Sequence, residues 1–343
     1  MPPDWLKLFP PEIREAIIKH RVLALLLTFL LILWTIALPT KTAPLDWIIV
    51  LSLVVIIVGL LFEFISNKQV PASHFKAVLF DEAHGQDEWL YIPPTIGRGY
   101  KRIAELTTQQ YNLQVEVLKK GEAISLEKLG KYAAFVLIIG PKGLCSLEKD
   151  ELEAIMNYVG QGHGVLILST YTGDWHHEAN LNKLAENYGM VFNNDVVLPK
   201  DAVSQDASGQ HFEDEPDSKY AILAQPVEDE GIQDAIKKQL LEGVRQIKTL
   251  SSCSLTVTNT ATTVLCSEIG STIFEPEPLG RGIAIARYRE KEKGSVPLIA
   301  ASKNGKVISI GGWKIFLDKF VDDPNYDNRR LYENILRWLV TTR

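Results

Sequence analysis

The sequence predicts an α/β protein with a doubly wound, mostly parallel sheet and added antiparallel strands, preceded by a two-helix transmembrane hairpin. The sheet is predicted by short unbroken apolar runs that stop at polar or glycine residues and alternate with amphipathic helical patterns. The hairpin is predicted by two long apolar stretches near the start of the chain. Of the 343 residues, 46% are hydrophobic, which excludes a mainly disordered chain.

The predicted hairpin consists of Val22–Leu38 and Trp47–Phe62, each near the lower length limit for crossing a bilayer. A cleaved signal peptide is the alternative, but no A-x-A-like site follows the first stretch. Basic residues flank the outer ends of the hairpin, which predicts a multi-pass protein of the inner (cytoplasmic) membrane. Both termini and the α/β domain would then be cytoplasmic, with the lipid bilayer as a partner.

The domain organisation follows from the hairpin. Residues 1–21 precede it and are predicted as an interfacial segment, although a plain cytosolic extension of the first span fits equally well. Residues 66–75 are a polar linker, and 76–343 form the α/β domain.

The first strand of that domain is the apolar run Ala77–Phe80, which stops at Asp81, Glu82 and His84. Helical and strand patterns then alternate, as expected for parallel strands joined by right-handed crossovers. A helix with Ser146 as its N-cap and no capping box is among them. The predicted elements after the first strand are Gly97–Tyr111 (helix), Gln114–Leu118 (strand), Leu126–Leu129 (helical turn), Ala134–Gly140 (strand), Ser146–Gly160 (helix) and Gly164–Ser169 (strand).

The second half of the domain is predicted to add antiparallel strands. An acidic excursion is predicted at about 201–242. Its most acidic part, 206–234, is predicted as a solvated loop or a mobile flap. Asn304 and Gly305 predict a tight hairpin between the last two strands. The predicted elements are Asn180–Tyr188 (helix), Val191–Leu198, Gln246–Val257, Thr262–Ser267, Gly282–Tyr288, Val296–Ala301 and Lys306–Gly311 (strands), and Asp327–Val340 (helix).

Charge and cysteine content exclude several classes of protein. A net charge of −6 argues against a dedicated nucleic-acid binder. The letters of residues 81–84 spell a helicase DEAH box, but no phosphate-binding loop precedes them, so the helicase interpretation is rejected. The three cysteines form no C-x-x-C pair and are predicted to be reduced thiols. No cofactor is predicted.

Three stretches carry a resemblance to a known family. FDEAHG after the first strand, GPKGLCSLEKDELEAIMNYVGQGHGVLIL, and IGGWKIFLDKFVDDPNYDNRRLYENILRWL resemble class-I glutamine-amidotransferase-like domains. The resemblance is to those of gliding-motility ABC-transporter auxiliary proteins, their intraflagellar-transport relatives and a membrane-anchored bacterial family. It covers most of 76–343, with the excursion poorly matched, and implies a flavodoxin-like sheet with a non-catalytic binding or scaffolding role.

The resemblance also implies where a nucleophile would stand. An active amidotransferase has a cysteine on a sharp turn after a buried strand, activated by a histidine and a glutamate. Here the equivalent strand runs into Ser169, and no cysteine stands at that turn. Cys145 lies one connection earlier, and Ser169 lacks the G-x-S-x-G pattern. Both remain weak candidate nucleophiles.

Polar residues that directly follow the predicted strands define a candidate ligand-binding rim, because the carboxyl ends of parallel strands share one edge. Trp313 belongs to it if its strand is parallel to the others. The rim residues are Asp81, Glu82, His84, Lys142, Thr170, Tyr171 and Trp313. A metal site is a weaker hypothesis against plain hydrogen-bonded loop capping, with the candidate ligands Asp81, His84, Asp174, His176 and His177.

Two further motifs favour structural roles. Gly97–Arg102 opens a helix with basic residues and is a weak anion-site candidate. Asp322–Asn328 is rich in oxygen ligands but lacks the EF-hand spacing, so capping of the last helix by Asp327 is preferred.

The leading functional hypothesis is a non-catalytic, membrane-anchored adaptor with a degenerate amidotransferase-like domain. It would act with a protein partner as an accessory of a transport or ATPase-linked complex. The alternative is a hydrolase, an amidase or esterase or a metal-assisted enzyme, that uses the rim around Asp81, Glu82 and His84.

Overall fold

The computed structural model describes residues 77–84, 99–138, 146–174, 179–203, 206, 218–227, 234–278 and 285–341. All of them belong to one compact unit, Val70–Arg343. The predicted interfacial segment, the hairpin over Val22–Leu38 and Trp47–Phe62, and the linker lie outside the described residues. Within the described ranges, no helix is long and apolar enough to cross a bilayer.

Five parallel strands form one half of a nine-stranded sheet. Their spatial order is β2-β1-β3-β4-β14, which is the flavodoxin-like order with the last strand of the chain in fifth position. Each of β1, β3 and β4 is buried along its whole length, which is why their sequences are unbroken apolar runs. The strands are β1 (Ala77–Asp81), β2 (Gln114–Leu118), β3 (Ala134–Ile138), β4 (Gly164–Leu168) and β14 (Val307–Ile310).

Four antiparallel strands extend the sheet beyond β14. The order continues β13-β10-β7-β8, and β13 pairs with β14 across the predicted Asn304-Gly305 hairpin. The fold class is therefore confirmed as mixed α/β with a parallel sheet and added antiparallel strands. These strands are β7 (Ile222–Pro226), β8 (Ile247–Thr249), β10 (Ala261–Ser267) and β13 (Pro297–Ser302).

Helices cover the two faces of the sheet. Val78 and Phe80 of β1 share a hydrophobic cluster with the first and last described helices, α1 and α7. Ala77 and Leu79 share another cluster with α3, as expected for side chains that alternate along a strand. The helices are α1 (Lys101–Tyr111), α2 (Leu126–Leu129), α3 (Lys149–Gly160), α4 (Leu181–Ala185), α5 (Ala235–Leu240), α6 (Asp318–Val321) and α7 (Asn328–Val340), with 3-10 turns at Glu186–Tyr188 and Trp313–Phe316.

Two smaller sheets lie beside the large one, and here the predicted elements are partly wrong. The predicted strand Val191–Leu198 is two strands, because Asp195 between them turns inward and accepts a hydrogen bond from the backbone N–H of Ser254 at 2.7 Å. The predicted strand Gln246–Val257 is likewise divided. The smaller sheets comprise β12 (Ile285–Gly294), β11 (Ser271–Pro278) and β6 (Val196–Leu198) in one, and β5 (Met190–Phe192) with β9 (Leu255–Val257) in the other.

The acidic excursion is not a loop throughout. The stretch 201–242 contributes β7, a strand of the large sheet, and the short helix α5. Ile222 and Ala224 are buried in the core, which gives this otherwise acidic stretch an apolar anchor. The prediction of a loop or flap over 206–234 is therefore wrong for β7, whereas α5 begins just after that stretch.

Candidate functional site at the carboxyl ends of the parallel strands

The carboxyl ends of β1, β4 and β14 bring several predicted rim residues to one edge of the sheet. Because β14 is parallel to β4, the backbone N–H of Trp313 donates to the carbonyl oxygen of Ser169 at 2.7 Å. Asp81 is the last residue of β1. Asp81, His84, Thr170, Tyr171 and Trp313 are all buried. Glu82 is half-buried, and its backbone N–H bonds to the end of β2. Lys142 lies outside the described residues.

A buried histidine between two carboxylates is the main chemical feature of this edge. The imidazole Nδ1 of His84 lies 3.1 Å from both carboxylate oxygens of Asp81. Its Nε2 lies 3.4 Å from Oε2 of Glu151, in the first turn of α3. His84 is 5% exposed, Asp81 is 1% exposed and Glu151 is 8% exposed. We call Asp81, His84 and Glu151 the imidazole clasp.

Backbone donors hold both carboxylates of the clasp in place. Oδ1 of Asp81 accepts from the backbone N–H of Ala83 at 3.0 Å. Oε1 of Glu151 accepts from Ile124 at 2.9 Å, and Oε2 accepts from Glu148 at 3.1 Å. The clasp therefore ties the end of β1 to the start of α3 and to the segment before α2.

The same contacts correct the predicted start of α3. The helix begins at Lys149 with Glu148 at the N-cap, and Glu151 closes a capping-box bond to the Glu148 backbone. The prediction of Ser146 as N-cap without a capping box is therefore wrong. The glutamate that closes the capping box, Glu151, is the same residue that contacts His84.

The clasp favours a charged imidazole. Burial alone would lower the pKa of His84, but the hydrogen bond and charge of Asp81, aided by Glu151, outweigh it and raise that pKa. Burial raises the pKa of Asp81 despite the hydrogen bond from His84. A protonated imidazole donates from both nitrogens, which matches a carboxylate on each side.

The turn after β4 contains a backbone conformation that is unusual for its residue type. Thr172 has a φ of 61°, in the left-handed region that β-branched residues seldom adopt. The backbone N–H of Thr172 donates to the carbonyl of Asp195 at 2.7 Å, which helps to hold it there. Within the described residues, the hydroxyls of Thr170 and Thr172 and the indole N–H of Trp313 are buried without a hydrogen-bond partner.

The candidate nucleophiles are not set up for attack in the described part of the chain. Cys145 lies outside the described residues. Ser169 is fully buried, and its neighbour is the thiol of Cys253, which the sequence did not single out. Burial raises the pKa of Cys253 well above its usual range, so this thiol stays protonated.

The candidate metal ligands are divided among different structural roles. Both carboxylate oxygens of Asp174 accept backbone N–H groups at the start of α4, from Leu181 at 3.0 Å and Asn182 at 3.1 Å. His176 and His177 lie outside the described residues. In the part of the chain that the structure describes, no cluster of three or more potential metal ligands occurs.

The two remaining motifs, the predicted anion site and the predicted helix cap, form hydrogen bonds within the protein. Oδ1 of Asp318 accepts from the backbone N–H of Arg102 at 2.8 Å, so a carboxylate of the chain occupies the helix start proposed as an anion site. Asp327 makes no side-chain cap on α7. Its Oδ2 accepts from the backbone of Arg245 at 2.8 Å instead, so its predicted capping role is wrong.

Glu151 is the residue of the imidazole clasp that the sequence analysis did not assign to the candidate site; it was predicted only as part of a helix. The available signal was its position three residues after Glu148, since a glutamate at the third helical position can close a capping box. Its contact with His84 depends on how α3 packs against β1, which the local sequence does not encode.

Comparisons with known proteins add a relationship. Residues 95–204 match the family described as the IFT52 GIFT domain. The chain is similar to intraflagellar transport protein 52 homologs. It is 26% identical to the Mus musculus protein over 256 residues, which is 72% of this chain and 53% of that protein. It is 26% identical to the Homo sapiens protein over 257 residues, 72% of this chain and 51% of that one.

The fold agrees with this relationship. The solved structure of the mmIFT52 N-terminal domain superposes with a TM-score of 0.52 at 18% identity, covering 77% of this chain and 97% of that structure. The chain spans about half the length of the curated relatives it matches. A domain of the IFT52 GIFT-like kind is thus supported, whereas the comparisons do not support an amidotransferase or a membrane anchor.

These matches correct the predicted cellular setting. The curated relatives are intraflagellar transport proteins, not accessories of bacterial ABC transporters. The predicted inner-membrane location, the bilayer as a partner and the bacterial ABC-transporter setting are therefore wrong.

Proposed function

We propose that this chain is a non-catalytic, protein-binding component of a multi-protein assembly of the intraflagellar-transport type. The observation that carries the proposal is the state of His84. Both imidazole nitrogens face carboxylates, at 3.1 and 3.4 Å, inside the protein. A general base needs a nitrogen that faces a nucleophile or substrate, and this one has none to offer.

The relatives support the kind of assembly. Proteins named intraflagellar transport protein 52 match 72% of this chain at 26% identity. In this proposal the imidazole clasp and the turn after β4 stabilise the fold of the domain. A partner protein binds to the exposed surface instead. The fold would be that of an amidotransferase-like domain whose catalytic turn carries Ser169 in place of cysteine.

Two measurements on the full chain test the proposal. Purified protein is expected to show no hydrolysis of glutamine or p-nitrophenyl acetate above the buffer rate. The tagged chain, expressed at its native level, is expected to co-purify with at least one protein at near-equal stoichiometry. His163→Gln serves as the control for the variant His84→Gln, because His163 stacks on Tyr158 and is not part of the clasp.

Turnover that disappears in Ser169→Ala, or in His84→Gln while that variant stays folded, would contradict the proposal. It would instead support a hydrolase at the rim. Purification of the chain alone, without turnover, would also contradict the assembly role.

A further inference from the structure

The two ends of the nine-stranded sheet differ in how their outer edges are closed. At β8, the backbone N–H of Lys248 donates to Oδ1 of Asn328 at 3.0 Å, and the side-chain amide of Asn328 donates to the carbonyl of Lys248 at 2.7 Å. This amide takes the place of a neighbouring strand. At the other end, β2 pairs with β1 alone within the described residues. An unpaired edge is a template for a further strand.

Alternate residues of β2 direct their backbone groups towards β1. The carbonyl of Leu118 accepts from the backbone N–H of Glu82 at 2.9 Å, so the backbone groups of Leu118 and Glu116 face β1. Val115 and Val117 therefore direct both N–H and C=O away from β1. Both valines are half-buried, and no strand lies beyond them in the part of the chain that the structure describes.

The protein's own groups close the edge on either side of these two valines. The backbone N–H of Lys119 donates to Oε2 of Glu122 at 2.9 Å, and the carbonyl of Lys119 accepts from the backbone N–H of Glu122 at 2.9 Å. Before the valines, the backbone N–H of Leu113 donates to the carbonyl of Thr107 at 3.4 Å. The open part of the edge is therefore the N–H and C=O groups of the two valines. It matches about three residues of an extended chain.

The side chains along this open edge alternate between apolar and acidic. The two valines are in register with Val78 and Phe80 of β1, so they face the core layer that contains α1 and α7. Glu116 lies between them on the opposite face and is exposed. Its Oε2 accepts from the hydroxyl of Tyr132 at 2.6 Å. A strand added here therefore meets an apolar, an acidic and an apolar side chain in succession.

This pattern disfavours a second copy of the chain as the added strand. An antiparallel second β2 would use all the open groups only with Val115 opposite Val117, which puts Glu116 opposite Glu116. Carboxylates directly opposite each other destabilise strand pairing, whereas a basic residue at that position forms a favourable cross-strand pair. The charge of the edge therefore favours a different protein that presents a basic residue there.

We propose that the edge of β2 binds a segment of a partner protein as an added antiparallel strand, in which a lysine or arginine lies between two β-branched apolar residues. The apolar residues exchange N–H···O=C bonds with Val115 and Val117, and the basic side chain pairs with Glu116. In this mode of recognition the main-chain bonds supply affinity and the alternating side chains supply specificity. The inference rests on the proposed protein-binding function and assigns a surface to it.

Peptide binding to the full chain tests both the side-chain and the backbone contributions. The probe is a fluorescein-labelled peptide, Gly-Ser-Thr-Val-Lys-Val-Thr-Ser-Gly, with versions carrying glutamine or glutamate at the centre. Fluorescence anisotropy should give the tightest binding for lysine and the weakest for glutamate, with about threefold between successive peptides. N-methylation of both valines of the peptide removes its donors to the edge and should abolish binding. N-methylation of its lysine, whose N–H points away from β2, is the matched control and should leave binding unchanged.

Two protein variants locate the binding at β2. Val117→Pro removes an outward N–H that makes no bond to β1, so the fold should tolerate it. Peptide affinity should fall about tenfold in this variant, equivalent to about 1.4 kcal/mol. Val117→Ala keeps the N–H and is its control, with a smaller loss expected. Glu116→Lys should reverse the preference, so that the glutamate peptide binds better than the lysine peptide.

Circular dichroism checks that each variant stays folded, and the N-methylated peptides test the wild-type chain if one does not. No binding of the lysine peptide, equal binding of the three peptides, or equal loss with both N-methylated peptides would overturn the proposal. Equal losses in Val117→Pro and Val117→Ala would also overturn it, because the backbone would then play no part. A dimer of the chain that Val117→Pro dissociates would overturn it in favour of a second copy. If a partner co-purifies with Val117→Pro as well as with the wild type, the edge is not the contact but the proposed function stands.

Discussion

Substitution of His84 by glutamine should destabilise the protein, and the loss should depend on pH. Glutamine nearly fills the imidazole volume but removes the positive charge between Asp81 and Glu151. Breaking a buried ion pair by removing one partner costs about 3–5 kcal/mol. Each carboxylate keeps two backbone donors. We therefore expect the lower end, about 3 kcal/mol, or a drop of roughly 6–12 °C in melting temperature.

The sign of the pH dependence follows from the direction of the pKa shift. The pKa of His84 is raised above its ordinary value of 6.5, so the folded state binds its proton more tightly than the unfolded state does. The stabilisation is therefore complete below pH 6.5 and is lost as the pH rises through the raised pKa. The difference between wild type and His84→Gln should be largest at low pH and should shrink in alkaline buffer.

Thermal unfolding followed by circular dichroism, from about pH 6 to about pH 9, measures this difference across the titration of the imidazole. His163→Gln is a control for which the stability contribution should depend on pH in the opposite direction. Burial, with the charge of Lys306, lowers the pKa of His163, so its contribution is present above pH 6.5 and lost as the pH falls. A stability loss in His84→Gln that is constant across the range, or that grows with pH, would refute the charged clasp.

Three further predictions concern packing, buried hydrogen bonds and reactivity. Gly164→Ala should cost about 1–3 kcal/mol in a denaturant melt, because a Cβ there would lie 2.7 Å from the backbone of α7; Gly160→Ala, with open space, should be neutral or slightly stabilising. Asn328→Ala should cost about 3 kcal/mol, since its amide makes three hydrogen bonds to the backbone of Lys248 and Ile315, of which the bond to Ile315 is buried and the two to Lys248 are partly buried. The exposed Asn187→Ala should cost under about 1 kcal/mol, and equal losses would contradict this. Native-state alkylation mapped by mass spectrometry should leave Cys253 unmodified until the protein is denatured.

The parallel half of the sheet was predictable because its signal is local. Val78–Phe80 and the runs of β3 and β4 are buried on both faces, so their apolar sequences are continuous. Asn304 and Gly305 marked the position of the β13–β14 connection, although this connection has four residues and neither of the two has the positive φ of a two-residue Asn-Gly turn. Such elements need no knowledge of the rest of the chain.

The smaller sheets were predicted less well because their order depends on tertiary contacts. Asn193, Asn194 and Asp195 interrupt the apolar run in the sequence, but the hydrogen bonds of Asp195 with Ser254, 59 residues later, hold the break between β5 and β6. β11 contains Pro276 and Pro278, which argue against a strand in any sequence-based analysis, yet both prolines pair with β12. Pairing on both sides of β11 is confined to Thr272–Phe274, before the prolines. Propensity alone therefore misses it.

The candidate site was predicted in part. Asp81, His84 and Trp313 were expected at the strand ends, and parallel pairing puts them at that edge. Glu151 and Cys253 were not expected there, because each is brought in by an element whose packing is non-local. The sequence showed which residue types were available for the clasp, but it did not show that they contact one another.

The position of β14 has a consequence for how the chain is made. This four-residue strand is the one described link between the parallel strands and the antiparallel strands of the large sheet. Until the ribosome has synthesised Val307–Ile310, β4 and β13 each have an unpaired edge. Such an edge can pair with a strand of another molecule. Truncations upstream of Val307 should therefore aggregate, and the growing chain needs protection until β14 has emerged, when only residues 311–343 of the 343 remain to be made.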